Sequence, residues 1–454
     1  MSTLFPCSRR GSNTAATAGT VLAGLVVGGL GADCRAQTCQ PFWTAPGRVP
    51  RNPSVVNIVV YNDGTGSALY AGSSFDTDPN GYAPDPVRRW DGASWSPVGP
   101  GQLAGRSDVD VWDDGSGPRL YSIGYTYPQN EMWCKIWNGL LWEPAPPGML
   151  VSHAPNEAGD VWPRFSGFDG TGHAIYGIMS VQPAGFQNAI CRWSGAGWTI
   201  LGQPNMGSPS QFAFYDFGLG PQLFAAPTYI GEVARWSGQT WVSIGPGESG
   251  LGRAMCVFDD GSGPALYVGG DQATTGIGTQ CIARWNGQAW SSVGGGVSGA
   301  PNSVVQVNAL TVFDDGSGPA LVAAGAFTAA GGVPVRNIAK WNGTSWSPLG
   351  AGIGFQVISF ATFDDPRGHS LFASGSFQTV GGGRSPTVAQ WVGCLNCYAN
   401  CDNSTQSPRL NVLDFLCFLN KFAARDPYAN CTVDSTIDIT DFVCFLNKFA
   451  AGCP

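Results

Sequence analysis

The sequence predicts an all-β, seven-bladed β-propeller followed by a small C-terminal α-helical domain. Three observations support this prediction: a repeat built from two hairpins, tryptophans that recur five residues apart, and an isolated strand sequence near the N-terminus that matches the last strand of the repeat. Repeats too small to bury their own faces must stack on their neighbours to make a core. We therefore expect a ring of similar four-stranded sheets.

The repeat is clearest in segment 258–295, which returns in close form as segment 313–350. Its first hairpin joins two apolar strands through the residues DDGSGP, and Asp, Gly and Pro favour a turn. Because copies of this turn recur along the chain, we interpret it as structural and not as a metal loop. The aromatic residue before each turn marks seven copies: Tyr61, Trp112, Phe168, Tyr215, Phe258, Phe313 and Phe363.

The second hairpin turns at Asn286-Gly287. This is a strong local signal, because a type I′ turn needs positive φ at both central residues. Tryptophans flank this turn in six copies, and their recurrence indicates core positions before sugar-binding platforms. The pairs are Trp90 and Trp95, Trp137 and Trp142, Trp193 and Trp198, Trp236 and Trp241, Trp285 and Trp290, and Trp341 and Trp346.

The seventh copy has Trp391 but no partner after it, whereas Phe42-Trp43 near the N-terminus has the sequence of an orphan final strand. A strand from one end of the chain that completes the blade begun at the other end closes the ring and removes exposed sheet edges. We predict a propeller over residues 37–393 closed in this way. Cys39 and Cys394 fall at or beside the turn of the split blade, so a disulfide between them is predicted to hold the ring shut.

Composition restricts the class of protein. Of 454 residues only 12% are charged, while 65 are Gly and 33 are Pro, which is typical of a turn-rich, all-β chain. The net charge of −8 argues against a nucleic-acid partner, because phosphate binding calls for clustered Lys and Arg.

The N-terminus has the pattern of an export signal. Arg9 and Arg10 precede an uncharged run from Ala15 to Ala32, and Ala36 is suitable as the residue before cleavage. Residues 1–36 are therefore predicted to be a signal peptide; the alternative is a retained membrane anchor. No later stretch is apolar enough to span a bilayer, so we expect a secreted or cell-surface protein. The pairing of the remaining propeller cysteines stays open at this point: Cys134, Cys191, Cys256 and Cys281.

The composition changes over residues 394–454, where two copies of one motif follow each other: Asp414 to Phe422 and Asp441 to Phe449. In each copy the apolar residues occupy i, i+3, i+4 and i+7, one face of a short helix. The loop before the second helix has oxygen ligands at the spacing of an EF-hand-type Ca²⁺ site. These ligands are Asn430, Thr432, Asp434, the carbonyl of Thr436, Asp438 and Asp441. The loop departs from the usual pattern because Ser435 replaces the Gly of the sharp turn and Asp441 replaces the bidentate Glu.

This tail, from about Asn396 to Pro454, resembles a GC-type dockerin, on the duplicated motifs LNVLDFLCFLNKF and IDITDFVCFLNKF. The resemblance implies an anchor that binds a cohesin-like protein module on a scaffold or cell surface. Within it, Cys401 is expected to bond Cys417 and Cys431 to bond Cys444, so that disulfides take over much of the metal's structural role. The ring domain resembles kelch-type propellers in architecture more than in motif.

Catalytic motifs are scarce. The chain has only three histidines and no zinc-protease or serine-nucleophile motif. Function is expected where the repeats depart from one another, chiefly in the polar segment 153–164, which contains Glu157, Asp160 and Trp162 as possible ligand-binding residues. Exposed loop polarity is the simpler explanation of that segment.

We therefore expect a secreted, non-catalytic binding or display propeller, with polysaccharide as a possible ligand. The first alternative is a polysaccharide-active enzyme, a hydrolase or lyase, with paired carboxylates at the mouth of the propeller. The second is a structural cell-surface component.

Overall fold

A computed structural model of the protein describes most of the predicted ring and both predicted helices. The described residues are 42–44, 46, 55–73, 87–92, 94–99, 106–125, 132–149, 161–180, 188–203, 209–227, 232–245, 251–271, 280–315, 317–365, 368–377, 379–380, 383–384, 387–392, 412–423, 429 and 437–451. The predicted signal peptide lies outside them, as do Cys39, Cys394, Cys401 and Cys431. The pairing of those cysteines therefore stays a prediction.

Within these ranges the chain is almost entirely β-structure, with seven four-stranded antiparallel sheets numbered here in chain order. The first described strand, β1 (Phe42–Thr44), belongs to sheet 7. Sheet 1 has β2 (Val55–Asn62), β3 (Ser67–Ser73), β4 (Val87–Trp90) and β5 (Trp95–Pro97). Sheet 2 has β6 (Arg106–Asp113), β7 (Pro118–Tyr125), β8 (Met132–Trp137) and β9 (Trp142–Pro144). Sheet 3 has β10 (Val161–Phe168), β11 (His173–Ser180), β12 (Asn188–Trp193) and β13 (Trp198–Gly202).

The remaining sheets follow the same order. Sheet 4 has β14 (Pro209–Tyr215), β15 (Gln222–Pro227), β16 (Ala234–Trp236) and β17 (Trp241–Ser243). Sheet 5 has β18 (Leu251–Asp259), β19 (Pro264–Gly270), β20 (Ile282–Trp285) and β21 (Trp290–Ser292). After β22 (Val297–Ser298), sheet 6 has β23 (Gln306–Asp314), β24 (Pro319–Ala326), β27 (Ile338–Trp341) and β28 (Trp346–Pro348), interrupted by β25 (Ala329–Ala330) and β26 (Val333–Pro334). Sheet 7 has β29 (Val357–Asp365), β30 (Gly368–Gly375) and β33 (Val388–Val392), interrupted by β31 (Thr379–Val380) and β32 (Gly383–Arg384).

The first strands of the sheets form a closed ring. Each of them contacts the first strand of the next sheet, from β2 through β6, β10, β14, β18 and β23 to β29, and β29 in turn contacts β2. The first strands are therefore the innermost ones, and the apolar clusters of the core lie between adjacent sheets. This is a β-propeller architecture, in agreement with the predicted all-β class.

The first turn of each sheet has a local reason to form. In sheet 2 the carboxylate of Asp113 accepts hydrogen bonds from the amides of Gly115 and Gly117, at 2.8 and 3.0 Å. Both glycines have positive φ, 100° and 108°, which a side chain would disfavour. The repeated acidic turn is thus built from Asx-type hydrogen bonds, as its composition predicts.

The second hairpin is confirmed as a tryptophan pair, for example Trp285 opposite Trp290. The second tryptophan of most pairs also joins neighbouring sheets, because its indole N–H donates to a backbone carbonyl of the preceding one. Trp142 donates to Val98 in this way, over 2.8 Å. The other donors and acceptors are Trp198 to Met149, Trp290 to Ile244, and Trp346 to Val293.

The N-terminal strand β1 lies beside β33 in sheet 7, with Trp43 opposite Trp391. The two rings lie 5.3 Å apart, centroid to centroid, as in the other tryptophan pairs. The strand near the N-terminus thus occupies the position that the pattern predicts for it. In the described chain, Cys134, Cys191, Cys256 and Cys281 are free thiols.

The C-terminal helices are α1 (Val412–Ala423) and α2 (Ile439–Ala451). They bury their duplicated phenylalanines on each other, and Phe418 stacks on Phe445 with ring centroids 3.9 Å apart. Cys417 and Cys444 each take part in a disulfide bond. No helix in the described residues is long and apolar enough to cross a membrane.

Candidate active site

A cavity of about 570 Å³ lies on the inner side of the ring, where sheets 2 and 3 meet. Residues of four innermost strands, β2, β6, β10 and β14, contribute to its wall. Its polar and aromatic lining includes Asn57, Asp108, Asp110, Trp112, Tyr121, Trp162, Arg164 and Gln211.

Two carboxylates of β6, Asp108 and Asp110, line this cavity. Residues two apart on a strand point to the same face of the sheet. Val109 between them points the other way, into the apolar cluster shared with sheet 1. The face of β6 that bears the carboxylates is therefore turned towards sheet 3.

Among the seven sheets as described, only sheet 2 has a charged residue at the repeat position that Asp110 occupies. Asp110 lies opposite Tyr121 in the β6–β7 register. The corresponding residues of the other first strands are Val59, Phe165, Ala213, Cys256, Thr311 and Ala361. A position that otherwise packs one sheet against the next thus carries an acid here, which is a departure from the repeat that packing does not explain.

The backbone of β6 also departs from the repeat. The other six pairs of first and second strands have a register shift near the start of the first strand, whereas the β6–β7 register runs unbroken from Arg106 to Asp113. Strict alternation is therefore kept along β6. Both acids consequently remain on one face.

Burial raises the pKa of Asp110 to about 6, and the nearby charge of Asp108 acts in the same direction. Although the residue as a whole is partly exposed, protein surrounds its carboxyl group. A hydrogen bond from the backbone N–H of Val111, 2.8 Å long, opposes the shift without cancelling it. A carboxyl group with a raised pKa beside a second carboxyl group is an arrangement suited to acid–base chemistry in mildly acidic solution.

Asn57 of sheet 1 holds the strand between these acids. Its side-chain Oδ1 accepts from the backbone N–H of Val109 over 3.0 Å, and its Nδ2 donates to the carbonyl of the same residue. Gly72 permits this close approach, because a Cβ there would lie 2.6 Å from the carbonyl oxygen of Ser107. Sheet 1 thus fixes the position of the β6 backbone at Val109, between the two residues whose carboxylates enter the cavity.

On the opposite wall, Trp162 is half-buried and its indole N–H points to the Sδ of Met132, 2.8 Å away. Arg164 lies two residues further on, at the register shift of β10, and is exposed. An aromatic face and a guanidinium group therefore share one cavity with the two carboxylates.

Of the predicted ligand-binding residues, Trp162 lines this cavity, whereas Glu157 and Asp160 lie outside the described residues. Of the predicted Ca²⁺ ligands, Asp438 and Asp441 are described at the start of α2. Asn430, Thr432, Asp434 and Thr436 are not. The sequence analysis missed Asp108 and Asp110; the signal was an acid at a first-strand position that is uncharged in the other copies.

No family model matches the chain, and no curated protein matches it. Among solved structures it is similar to an α-L-arabinofuranosidase from Fusarium graminearum (11% identity, 78% of this chain and 98% of that one, TM-score 0.40). It is also similar to an α-L-arabinanase from Penicillium chrysogenum (12%, 78% and 97%, TM-score 0.36) and to a sialidase from Trypanosoma rangeli (11%, 90% and 62%, TM-score 0.34). At this identity the likeness is one of fold.

The prediction of a non-catalytic binding or display propeller is corrected here, since the three structures named above are glycosidases. The physical reason for the error lies in sheet 2. The prediction assigned carboxylates to exposed loops, whereas Asp108 and Asp110 project from an innermost strand into a cavity.

Proposed function

We propose that the protein is a secreted glycoside hydrolase that cleaves a polysaccharide in the cavity between sheets 2 and 3. The observation that carries this proposal is the pair Asp108 and Asp110 on one face of β6, with the pKa of Asp110 raised to about 6. Glycoside cleavage uses two carboxyl groups, of which one donates a proton and the other is ionised.

In this mechanism Asp110 is the general acid. Its raised pKa keeps it protonated in mildly acidic solution, so it can donate to the glycosidic oxygen of the leaving group. Asp108 is the second carboxyl group and acts as general base on a water molecule. Side chains two residues apart leave a strand about 6.7 Å from each other. An inverting reaction needs its two carboxyl groups about 6.5–9.5 Å apart, a separation that this strand spacing allows.

The remaining lining residues suit a sugar substrate. The half-buried ring of Trp162 offers an apolar face for the C–H groups of a pyranose or furanose ring. Gln211 and Arg164 provide donors for hydroxyl groups. Asn57 is a positioning residue, because it acts on the backbone of β6 and not on the reacting atoms.

The test is release of new reducing ends from a panel of neutral and acidic polysaccharides by the mature protein. Asp110→Asn and Asp108→Asn should each lower kcat/KM by about 100-fold or more, because each removes one member of the acid–base pair. Proton NMR of the first product should show the inverted anomer.

Glu143→Gln is the matched control. Glu143 lies on β9, the outermost strand of the same sheet, and bonds the side chain of Asn138. The Glu143→Gln substitution removes one negative charge, as Asp110→Asn does, but at a position away from the cavity. It should therefore leave turnover unchanged. The absence of turnover across the panel, or turnover that survives Asp110→Asn, would overturn the proposal.

The wider architecture in this proposal is a seven-bladed propeller carried on a dockerin-like anchor of residues 394–454. The mutual burial of Phe418 and Phe445 supports a two-helix module. The expected partner is a cohesin-like module on a scaffold or cell surface, which places the enzyme outside the cell.

We propose that the second loop of this module binds Ca²⁺. The proposed donors are all oxygen atoms, as a hard cation requires. The carboxyl group of Asp441 is fully buried, and its Oδ2 accepts from the backbone N–H of Asp438 over 2.9 Å. A buried carboxylate needs such compensation, and Asn430, Thr432, Asp434, Thr436 and Asp438 would complete the donor set. The ion would tie the loop to the start of α2.

Ca²⁺ titration of the mature chain by calorimetry tests this part. Asp441→Asn should weaken the affinity at least tenfold, whereas Asp414→Asn, the matching residue of the first motif, should leave the second site unchanged. A wild-type chain that binds no Ca²⁺ would refute the proposed Ca²⁺ site. A chain that no surface-immobilised cohesin module retains would refute the anchor.

A further inference from the structure

A cation on the third strand of four sheets is paired with a carboxylate of the first turn. Arg192 donates from Nε to Asp169 over 2.7 Å, and Lys340 donates to Asp315 over 2.6 Å. Arg284 and Arg89 make the same pair, with Asp260 at 3.1 Å and Asp63 at 3.6 Å. In each case a Ser or Thr two residues after the acid supports the carboxylate: Thr65, Thr171, Ser262 and Ser317.

Sheet 4 keeps the cation but lacks the acid. Arg235 lies opposite Phe224, the register position that Arg192 has opposite Tyr176. The turn of sheet 4 is aligned by Asp216, whose carboxylate accepts from the amides of Gly218 and Gly220. This alignment puts Phe217 where the other four sheets have the paired acid, and Leu219 where they have Ser or Thr.

Among the described residues, the guanidinium group of Arg235 forms no salt bridge with a carboxylate. It donates from Nη1 to Oε1 of Gln222 over 3.1 Å. Its Nε is buried, and no acceptor for it lies among the described residues. Sheet 4 thus keeps the cation of the repeated ion pair without its carboxylate.

This guanidinium lines a separate cavity of about 500 Å³ between sheets 4 and 5. The walls combine the aromatic residues Phe217 and Trp285 with the amides of Gln222 and Gln288. Leu219 stands at the rim with 76% of its surface exposed. The cavity shares no lining residue with the one that holds Asp108 and Asp110.

We infer that this cavity is a second carbohydrate-binding site, which takes the carboxylate of an acidic sugar residue on Arg235. The ligand's carboxylate takes over the ion-pair role that Asp169, Asp260 and Asp315 have in other sheets. Arginine is suited to this task because its planar donors match a carboxylate. The aromatic residues offer faces for the sugar ring, and the amides offer partners for its hydroxyl groups.

The overall charge narrows the ligand class. The chain carries −8 at pH 7, so a densely anionic polymer is repelled as it approaches. A neutral glycan with isolated uronic acid substituents avoids most of that repulsion and still presents a carboxylate to Arg235. The inference does not depend on turnover at Asp108 and Asp110, and binding can be measured in the Asp110→Asn protein.

The experiment is calorimetric titration of the mature Asp110→Asn chain with a xylo-oligosaccharide that carries one glucuronic acid substituent. The unsubstituted oligomer of equal length is the ligand control. The acidic oligomer should bind at least tenfold more tightly than the neutral one. Arg235→Gln should remove this difference.

The double variant Phe217→Asp with Leu219→Ser is the sharper test, because it rebuilds in sheet 4 the acid and hydroxyl pair of sheet 5. The new carboxylate should neutralise Arg235 and fill the ligand's position. Binding of the acidic oligomer should then fall to that of the neutral one, while near-native circular dichroism and thermal melting show that the sheet is folded. Equal affinity for both oligomers in the Asp110→Asn chain, or preference retained by a folded double variant, would overturn the inference.

Discussion

The indole N–H of Trp43 donates to the backbone carbonyl of Leu349 over 3.0 Å and joins residues 306 positions apart in the chain. Trp43 belongs to β1 in sheet 7, and Leu349 follows the last strand of sheet 6. The same bond between neighbouring sheets recurs around the ring. The N-terminal strand is thus held both by its own sheet and by the one before it.

Trp43→Phe should lower the free energy of unfolding by about 1–2 kcal/mol beyond the loss of packing, because it leaves a buried carbonyl without its donor. Urea unfolding followed by tryptophan fluorescence and circular dichroism measures the change. Trp241→Phe is the matched control, since the buried indole nitrogen of Trp241 has no acceptor in the described chain. Equal destabilisation by the two variants would show that the bond contributes nothing.

The pH dependence of turnover follows from the raised pKa of Asp110, about 6. A general acid works only while it is protonated, so kcat/KM should fall as the pH rises through about 6. Initial rates between pH 4 and 9 on the best substrate of the panel would measure this fall in kcat/KM on the alkaline side. The control variant Glu143→Gln should show the same fall. An alkaline limb far above pH 6 would exclude Asp110 as the acid.

The same group should make the protein less stable at high pH. The unfolded carboxyl titrates near 3.8 and the folded one near 6, so the folded state holds an extra proton between these values. The free energy of unfolding therefore falls across that window and stays lower above it, by about 3 kcal/mol at most. Asp110→Asn should be more stable than wild type at pH 8 and similar at pH 4, as chemical denaturation would measure. A variant that is less stable at both pH values would contradict this.

Asp169 should have the opposite dependence. Burial alone would raise its pKa, but hydrogen bonds from Thr171, Arg192 and Tyr176 outweigh it and hold the pKa of Asp169 well below its usual range. Its contribution to stability is therefore present above pH 3.8 and is lost as the pH falls through the lower folded value. Asp169→Asn should cost about 2 kcal/mol at pH 7, and the cost should shrink in acid.

Asp216→Asn is the control for Asp169. Its carboxylate accepts only local amide bonds from Gly218 and Gly220 among the contacts described. Asn62 accepts the equivalent bonds in sheet 1. This substitution keeps an oxygen that can accept both amide bonds, so it should change the free energy of unfolding little. If both variants lose the same stability, the ion pair with Arg192 is not the cause.

Much of the ring could be predicted from the sequence because its signals are local. An Asn-Gly turn between Trp285 and Trp290 specifies a hairpin without reference to any other sheet. The match between Trp43 and Trp95 was sufficient to place β1, since an unfinished sheet has one vacant position. These inferences need only the repeat and the geometry of a turn.

The candidate site could not be predicted in the same way. The alternation Asp108, Val109, Asp110 indicates that two acids share a face, but it does not say what lies opposite that face. Sheet 3 supplies the answer through Trp162 and Arg164, about fifty residues later in the chain. Arg235 is similar: its significance appears only when strand register aligns it with Arg192 and shows the missing acid.

The position of β1 also decides where the chain begins and ends its circuit. Sheet 7 runs in the order β29, β30, β33, β1 from the axis outwards, so the first and last strands of the circuit lie next to each other at the circumference. Both of these strands, β33 and β1, therefore lie away from the axis of the ring. Anything joined to the ring at these two strands is therefore joined at the circumference, away from the innermost strands that bear the candidate site.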